Sequence, residues 1–282
     1  MKKLEKIFGE KILSSKSIGG GSIADAQKII TESGKEYFLK TYSSTNRLIL
    51  RNEANGLLEL RKAKAIRIPE IIFYDDEVLI LEFIKTGARN NKFYEKFGRQ
   101  FAEMHKQTSD KFGFYENNNI GSNPQINLPQ KNNWIEFYWE NRLLYQYKLA
   151  EKNGYVDADI RKSFIGLEKH IPYILNETDV KPCLLHGDLW SGNFIIDEKG
   201  LPVLIDPAVY YGSREADLGM TKLFGGFDSQ FYYAYNETYP LEEDWEYRVD
   251  IYKLYHVLNH LNLFGTGYLS QAKSIINNYI KS

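Results

Sequence analysis

Asp188, Asn193 and Asp206 stand in the order and spacing that phosphoryl transfer uses. Asp188 sits in the run His186-Gly187-Asp188-Leu189-Trp190-Ser191-Gly192-Asn193, and Asp206 follows in Ile205-Asp206-Pro207. A carboxylate in the first position can accept a hydrogen bond from an acceptor hydroxyl, hold it in line with a γ-phosphate and take its proton. Asn193 offers an amide oxygen and Asp206 a carboxylate, hard donors of the kind that Mg2+ accepts while keeping several waters. Each of the three alone is an ordinary loop or turn residue. As an ordered set they predict one base and two metal ligands.

These residues need elements to hold them. Phe194-Ile195-Ile196 and Val203-Leu204-Ile205 are short apolar runs on either side of the turn-forming Asp197-Glu198-Lys199-Gly200, so a hairpin is expected to bring Asn193 and Asp206 together at its open end. Upstream, Gly19, Gly20, Gly21 and Ser22 form a cluster that lets backbone N–H groups approach phosphate oxygens. No Gly-Lys-Ser/Thr follows it, so it is not a Walker A loop. The chain then reads as strand (27–30), turn at Ser33-Gly34, and returning strand (37–40). Lys40 ends that strand, where a kinase needs an ammonium for the α- and β-phosphates.

Asn52 to Leu60 has helix character. Glu53 is the candidate partner for Lys40, and Glu59 competes with it because helical phase does not separate the two. Two more strands, 71–73 and 78–81, lead into Glu82-Phe83-Ile84-Lys85-Thr86-Gly87, a connector suited to the hinge of a two-lobe kinase. The predicted domains are therefore 1–85, a nucleotide-binding lobe, and 86–282, a catalytic and substrate-binding lobe. Beyond the hinge the pattern is helical: Phe97, Phe101, Met104 and His105 share one face, Trp134, Phe137, Tyr138, Leu144 and Tyr145 a second, and Val249, Tyr252, Tyr255 and Leu258 a third. These stripes are expected in the core, with His105 as a satisfied packing histidine.

Composition narrows the function classes. Lys plus Arg (36) nearly cancels Asp plus Glu (37), which argues against a protein built around nucleic acid. The charged start, Met1-Lys2-Lys3-Leu4-Glu5-Lys6, leads into no apolar segment, and no run of apolar residues is long enough to span a bilayer, so a cytoplasmic protein without membrane insertion is expected. Cys183 is the only cysteine; it allows no intrachain disulfide and is expected to be a small buried hydrophobe. The triplets at Asn176 and Asn236 match a glycosylation acceptor, but with no secretion signal they are read as chance.

Across nearly its full length the chain resembles the fructosamine kinases, or ketosamine 3-kinases, a branch of the aminoglycoside and choline phosphotransferase-like proteins. Residues 186–193 and the run 205–218 (IDPAVYYGSREADL) carry the resemblance, supported by Phe112-Gly113-Phe114, Pro124-Gln125-Ile126-Asn127, Trp134, Phe137-Tyr138 and Arg142-Leu143. It implies an α+β, two-lobe protein-kinase-like fold, with a small antiparallel sheet and one main helix followed by a larger, mostly helical lobe. It implies ATP and Mg2+ as cofactors and phosphorylation of the 3-hydroxyl of a ketosamine, an adduct that then releases its amine. The substrate would be a small glycated amine or a glycated protein.

By the same resemblance Asp188 is the base, Asn193 and Asp206 bind Mg2+, and Lys40 with Glu53 anchors phosphate. Glu82, Phe83 and Ile84 match the adenine-contacting hinge, Trp190 contacts the sugar, and His186 and Asp217 support the catalytic loop. Trp190 and the aromatic helix near Trp134 favour a ketosamine over the alternative acceptors, which are an aminoglycoside, an amino alcohol or a thio-sugar. A nucleotide-binding scaffold without catalysis is the reading from another class, and the complete set Lys40, Asp188, Asn193 and Asp206 weighs against it. Two departures stand out. Ser213 replaces the usual histidine, which puts a substrate contact in question, and the glycine loop has no cysteine for a thiol switch.

Overall fold

The computed structural model describes residues 2–19, 25–42, 48–176 and 179–280. Gly20, Gly21 and Ser22 of the predicted phosphate loop lie outside the described residues, as do Glu177 and Thr178 of the first glycosylation triplet.

A helix, α1 (Lys2–Phe8), precedes five strands: β1 (Ile12–Ser17), β2 (Asp25–Thr31), β3 (Glu36–Thr41), β4 (Ile71–Tyr74) and β5 (Val78–Glu82). They form one sheet in the order β1-β2-β3-β5-β4, every pair antiparallel. The period-2 alternation of a strand decides which side chain meets which layer. Ile29, Leu39, Val78 and Ile80 face α1 and pack with Leu4. Leu79 and Leu81 face the opposite way, onto α2 (Ile49–Lys62), which the sequence reading placed over Asn52 to Leu60. Because Leu39 faces α1, Lys40 faces α2. On α2 the buried Leu50, Ala54, Leu57 and Leu60 repeat at helical spacing, so this face is pinned against the sheet.

The remaining chain is mostly helical. It comprises α3 (Phe93–His105), a hairpin of β6 (Asn118–Ile120) and β7 (Asn123–Gln125), α4 (Trp134–Tyr138), a π-helical turn over Trp139–Leu144, α5 (Tyr145–Lys152), and α6 (Ala158–Ile174). Then come β8 (Cys183–Leu185), β9 (Phe194–Ile196), β10 (Pro202–Leu204), β11 (Tyr210–Gly212), α7 (Arg214–Thr221), α8 (Ser229–Thr238), α9 (Trp245–Phe264) and α10 (Leu269–Ile280). One apolar core runs from α2 and β5 through α3 to α9 and α10. The proposed domain boundary near residue 85 falls between β5 and α3. Among the described residues no helix is long and apolar enough to cross a membrane.

Three of the sequence expectations need adjustment. The π turn widens the helix by one residue, so Asn141, Arg142, Leu143, Gln146 and Tyr147 turn inward, while the expected Leu144 and Tyr145 are only half-buried. Trp134 lies in the core as expected, 3% exposed with its indole N–H donating to Tyr252 Oη at 3.0 Å, so what changes is the argument from it: the aromatic helix does not itself bear on the choice of acceptor. Ser213 is buried at the N-cap of α7, where its hydroxyl accepts from the Glu215 N–H; it bears on the site through the helix that carries Asp217. Cys183 and His105 are buried as expected.

Candidate active site

The hairpin forms as its turn chemistry predicts. β9 and β10 pair antiparallel with Asp197 in the turn accepting the Lys199 and Leu201 N–H groups, and Ile205 N–H donates to Asn193 O at 3.1 Å. Asn193 and Asp206 therefore flank its open end. Asp206 sits at φ 52°, a left-handed conformation that Asp adopts more readily than most residues, as the chain turns out of β10.

Lys40 reaches this point from the sheet. Its Nζ donates to Glu53 Oε2 at 2.8 Å, to Glu53 Oε1 at 2.9 Å and to Asp206 Oδ1 at 2.6 Å. Glu59 is occupied elsewhere, accepting from Tyr211 Oη at 2.8 Å and Lys62 Nζ at 2.7 Å. Burial alone would lower the Lys40 ammonium, but the Glu53 and Asp206 carboxylates outweigh it and hold it above its usual value. Burial pushes Asp206 up; the Lys40 ammonium overcomes that and keeps it below its usual range.

Helix α2 is fixed from below as well. Asn52 Nδ2 donates to Asn119 Oδ1 at 3.0 Å and Asn55 Nδ2 to Glu116 Oε1 at 2.8 Å. Gly56 lets the helix approach the segment after Asp206: a Cβ there would lie 3.2 Å from Pro207 and 3.3 Å from Val209. The motif residues Gln125, Asn127 and Arg142 build the wall behind that segment. Gln125 Nε2 donates to Ala208 O and to Asn118 Oδ1, both at 2.9 Å, and Arg142 donates to Ile126 O at 2.6 Å and Asn127 Oδ1 at 2.7 Å.

Asp217, in the first turn of α7, holds the loop that carries Asp188. Its carboxylate accepts from the His186 N–H at 2.7 Å and the Gly187 N–H at 2.8 Å, and it stands 3.2 Å from His105 Nε2. Gly187 has φ 82°, and a Cβ there would meet Ala208 O at 1.9 Å, so no other residue fits. His186 Nε2 donates to Ile205 O at 2.9 Å, which ties the loop to the residue before Asp206. Asp188 in turn accepts from Asn193 Nδ2, at 2.7 Å on its carbonyl and 3.2 Å on Oδ2. Burial, followed by the Asp206 carboxylate, raises Asp188 well above its usual range, which suits a proton acceptor.

The donor set fits Mg2+. Asn193 spends its amide nitrogen on Asp188, which turns its oxygen the other way, and the Asp206 side chain is 43% exposed toward the cleft. Among the described residues no group of three or more His, Cys, Asp or Glu side chains could hold a metal, so these residues provide no dedicated all-protein metal cage. One carboxylate and one amide beside a phosphate site suit an ion that keeps waters and takes phosphate oxygens.

Lys40, Glu53, Asp188, Trp190, Asn193 and Asp206 all line one cleft of ≈ 270 Å³. His186 and Asp217 are buried behind it. Glu82, Phe83 and Ile84 lie outside that lining: the Glu82 carboxylate pairs with Arg67, Lys28 lies over the Phe83 ring at 4.2 Å, and Ile84 is buried. Gly19 is exposed. Sequence reasoning missed Asn52, Asn119, Asn259, His260 and Phe264, which also line the cleft. His260 and Phe264 are one helical turn apart, the only pattern that could have pointed to them. At the mouth Trp190 meets Phe224 edge-on at 5.8 Å, and Phe224 meets His260 at 5.0 Å.

The family model described as fructosamine kinase matches residues 1–282. The chloroplastic protein-ribulosamine 3-kinase of Arabidopsis thaliana is 43% identical over 273 residues, covering 94% of this chain and 82% of that protein. A crystal structure from Thermobifida fusca, assigned as a fructosamine-3-kinase, superposes with a TM-score of 0.90 at 28% identity, covering 100% of this chain and 98% of the other. An ADP-bound aminoglycoside phosphotransferase superposes at 0.67 and 14% identity, covering 99% and 97%, which shows the shared protein-kinase-like fold.

Proposed function

This chain belongs to the fructosamine kinase family, and from that premise we infer that it transfers the γ-phosphate of ATP to the 3-hydroxyl of ketosamines. The observation that carries the reading is the convergence of Lys40, Glu53, Asp188, Asn193 and Asp206 on one cleft, in a chain matched to the family along its whole length. The product is a 3-phosphorylated ketosamine, which is unstable and releases the amine, so the activity removes the sugar adduct.

In this reading Glu53 holds Lys40 against the nucleotide phosphates. Asn193 and Asp206 hold Mg2+, which when bound offsets charge on the β- and γ-phosphates. Asp188 accepts a hydrogen bond from the ketosamine 3-hydroxyl, aims its oxygen at the γ-phosphorus and takes the proton as the new O–P bond forms and the bond from the γ-phosphorus to the β,γ-bridging oxygen breaks, that oxygen leaving on ADP. Asp217 and His186 keep Asp188 in place. Trp190 offers a flat face to the sugar. Gly19 to Ser22 cover the phosphates, and Glu82, Phe83 and Ile84 receive adenine at the hinge. We place the protein in the cytoplasm, acting on a small glycated amine or a glycated protein; the exposure of Trp190 at the cleft, 36%, supports access for the larger of the two.

An acceptor screen tests this. With ATP and Mg2+, ADP release above background is expected with ribulose-, erythrulose- or fructose-lysine and not with an aminoglycoside, an amino alcohol or a thio-sugar. The reverse pattern would show that the catalytic parts serve another acceptor.

A further inference from the structure

His256 on α9 is buried, 3% exposed, and its Nδ1 has no hydrogen-bond partner among the described residues. A polar atom in that state costs stability, and an apolar side chain among the neighbouring Tyr252 and Tyr255 would avoid the cost. The unpartnered atom is aimed at the site: Nδ1 lies 3.9 Å from Asp188 Oδ1, the carboxylate oxygen that Asn193 does not engage.

We propose that His256 is a positioning residue for Asp188: its Nδ1–H donates to Asp188 Oδ1 when the acceptor enters, and with Asn193 on Oδ2 it fixes the rotation of the carboxylate. The proposal rests on the reading of Asp188 as the base. A separation of 3.9 Å is beyond hydrogen-bond reach. A small rotation of the Asp188 side chain closes it, and catalytic hydrogen bonds commonly tighten in the substrate complex. Burial, with a smaller effect of His260, pushes His256 down to about 3, so the ring acts as a neutral donor. The His256 carbonyl also accepts from His260 Nδ1 at 2.7 Å, which orders the next turn of α9 along the cleft.

Nitrogen-15 spectra of the histidines in the whole chain test, without any acceptor, the tautomer that the contact requires, with the His256→Asn spectrum identifying the resonance. Nδ1 of His256 is expected to carry the proton and to shift in Asp188→Asn. An unprotonated Nδ1 overturns the proposal, whichever substrate the enzyme takes and whether or not the leucine variant below folds. In ketosamine-dependent ADP release, His256→Leu should lower kcat roughly 10- to 100-fold, the range for a hydrogen bond to a charged group, with both KM values unchanged. His256→Asn, whose amide nitrogen takes the place of Nδ1, should recover most of that rate; His256→Gln, which extends past it, should not. A leucine variant as fast as wild type, or an asparagine variant as slow as leucine, overturns the proposal. Absence of wild-type turnover on every ketosamine sinks the functional reading instead, and the tautomer then decides the contact.

Discussion

Lys40 Nζ lies 2.6 Å from Asp206 Oδ1 although 166 residues separate them in the chain. The same ammonium takes both oxygens of Glu53, so one cation joins the sheet, the helix above it and the open end of the β9–β10 hairpin. The arrangement draws three distant stretches of sequence to a point where phosphate charge can be met.

Lys40→Met tests that junction. It leaves the Glu53 carboxylate, 10% exposed, without its cation. Breaking one side of a buried pair costs about 3 kcal/mol, the low end of the usual range because Glu53 can take up a proton. The expected outcome is a lower unfolding midpoint and ATP affinity weakened at least tenfold, read by denaturant titration and calorimetry.

Glu53 and Glu59 separate by function. Glu53→Gln is expected to weaken ATP binding. Glu59→Gln should leave it unchanged and reduce only stability, because its partners are Tyr211 and Lys62. Equal losses of ATP affinity in the two variants would contradict the assignment.

Asp217→Asn replaces a carboxylate that accepts two loop N–H groups. Each bond to a charged acceptor contributes about 1.5–3 kcal/mol. A kcat lower by roughly 10- to 100-fold is expected, with ATP affinity near wild type, since Asp217 touches no nucleotide in this account. Parallel losses in both would mean that the whole lobe had been disturbed.

Much of this site is legible in the sequence because its order is local. Asn193 and Asp206 are linked by a hairpin whose turn residues declare it, and Lys40 lies one residue from the end of a strand whose alternation faces it toward α2. In the sequence Glu53 is ambiguous against Glu59, since helical phase cannot say which neighbour each meets; the answer lies in Tyr211, 152 residues away from Glu59. Tertiary placement hid the rest. Asn259 and His260 look like ordinary polar positions of a helix, and only the packing of α9 beside the catalytic loop brings them to the cleft. The inward shift of Gln146 and Tyr147 follows from a π turn that a 3.6-residue period does not anticipate.

Metal dependence follows from the donor set. Turnover should stop with a chelator and return with excess Mg2+, and Asn193→Ala should need roughly tenfold more Mg2+ for half-maximal rate. Turnover indifferent to the chelator would remove Asn193 and Asp206 from a metal role.

Phosphorylation of the ketosamine 3-hydroxyl is tested most directly by identifying the product. Wild-type protein, ATP, Mg2+ and ribulose-lysine or fructose-lysine, followed by phosphorus-31 NMR, should give ADP and a ketosamine 3-phosphate in equal amounts. Asp188→Asn should bind ATP and form neither at a rate within two or more orders of magnitude of wild type. No phosphorylated ketosamine from the wild-type protein with any of these acceptors, or phosphate on a hydroxyl other than the third, would contradict the account.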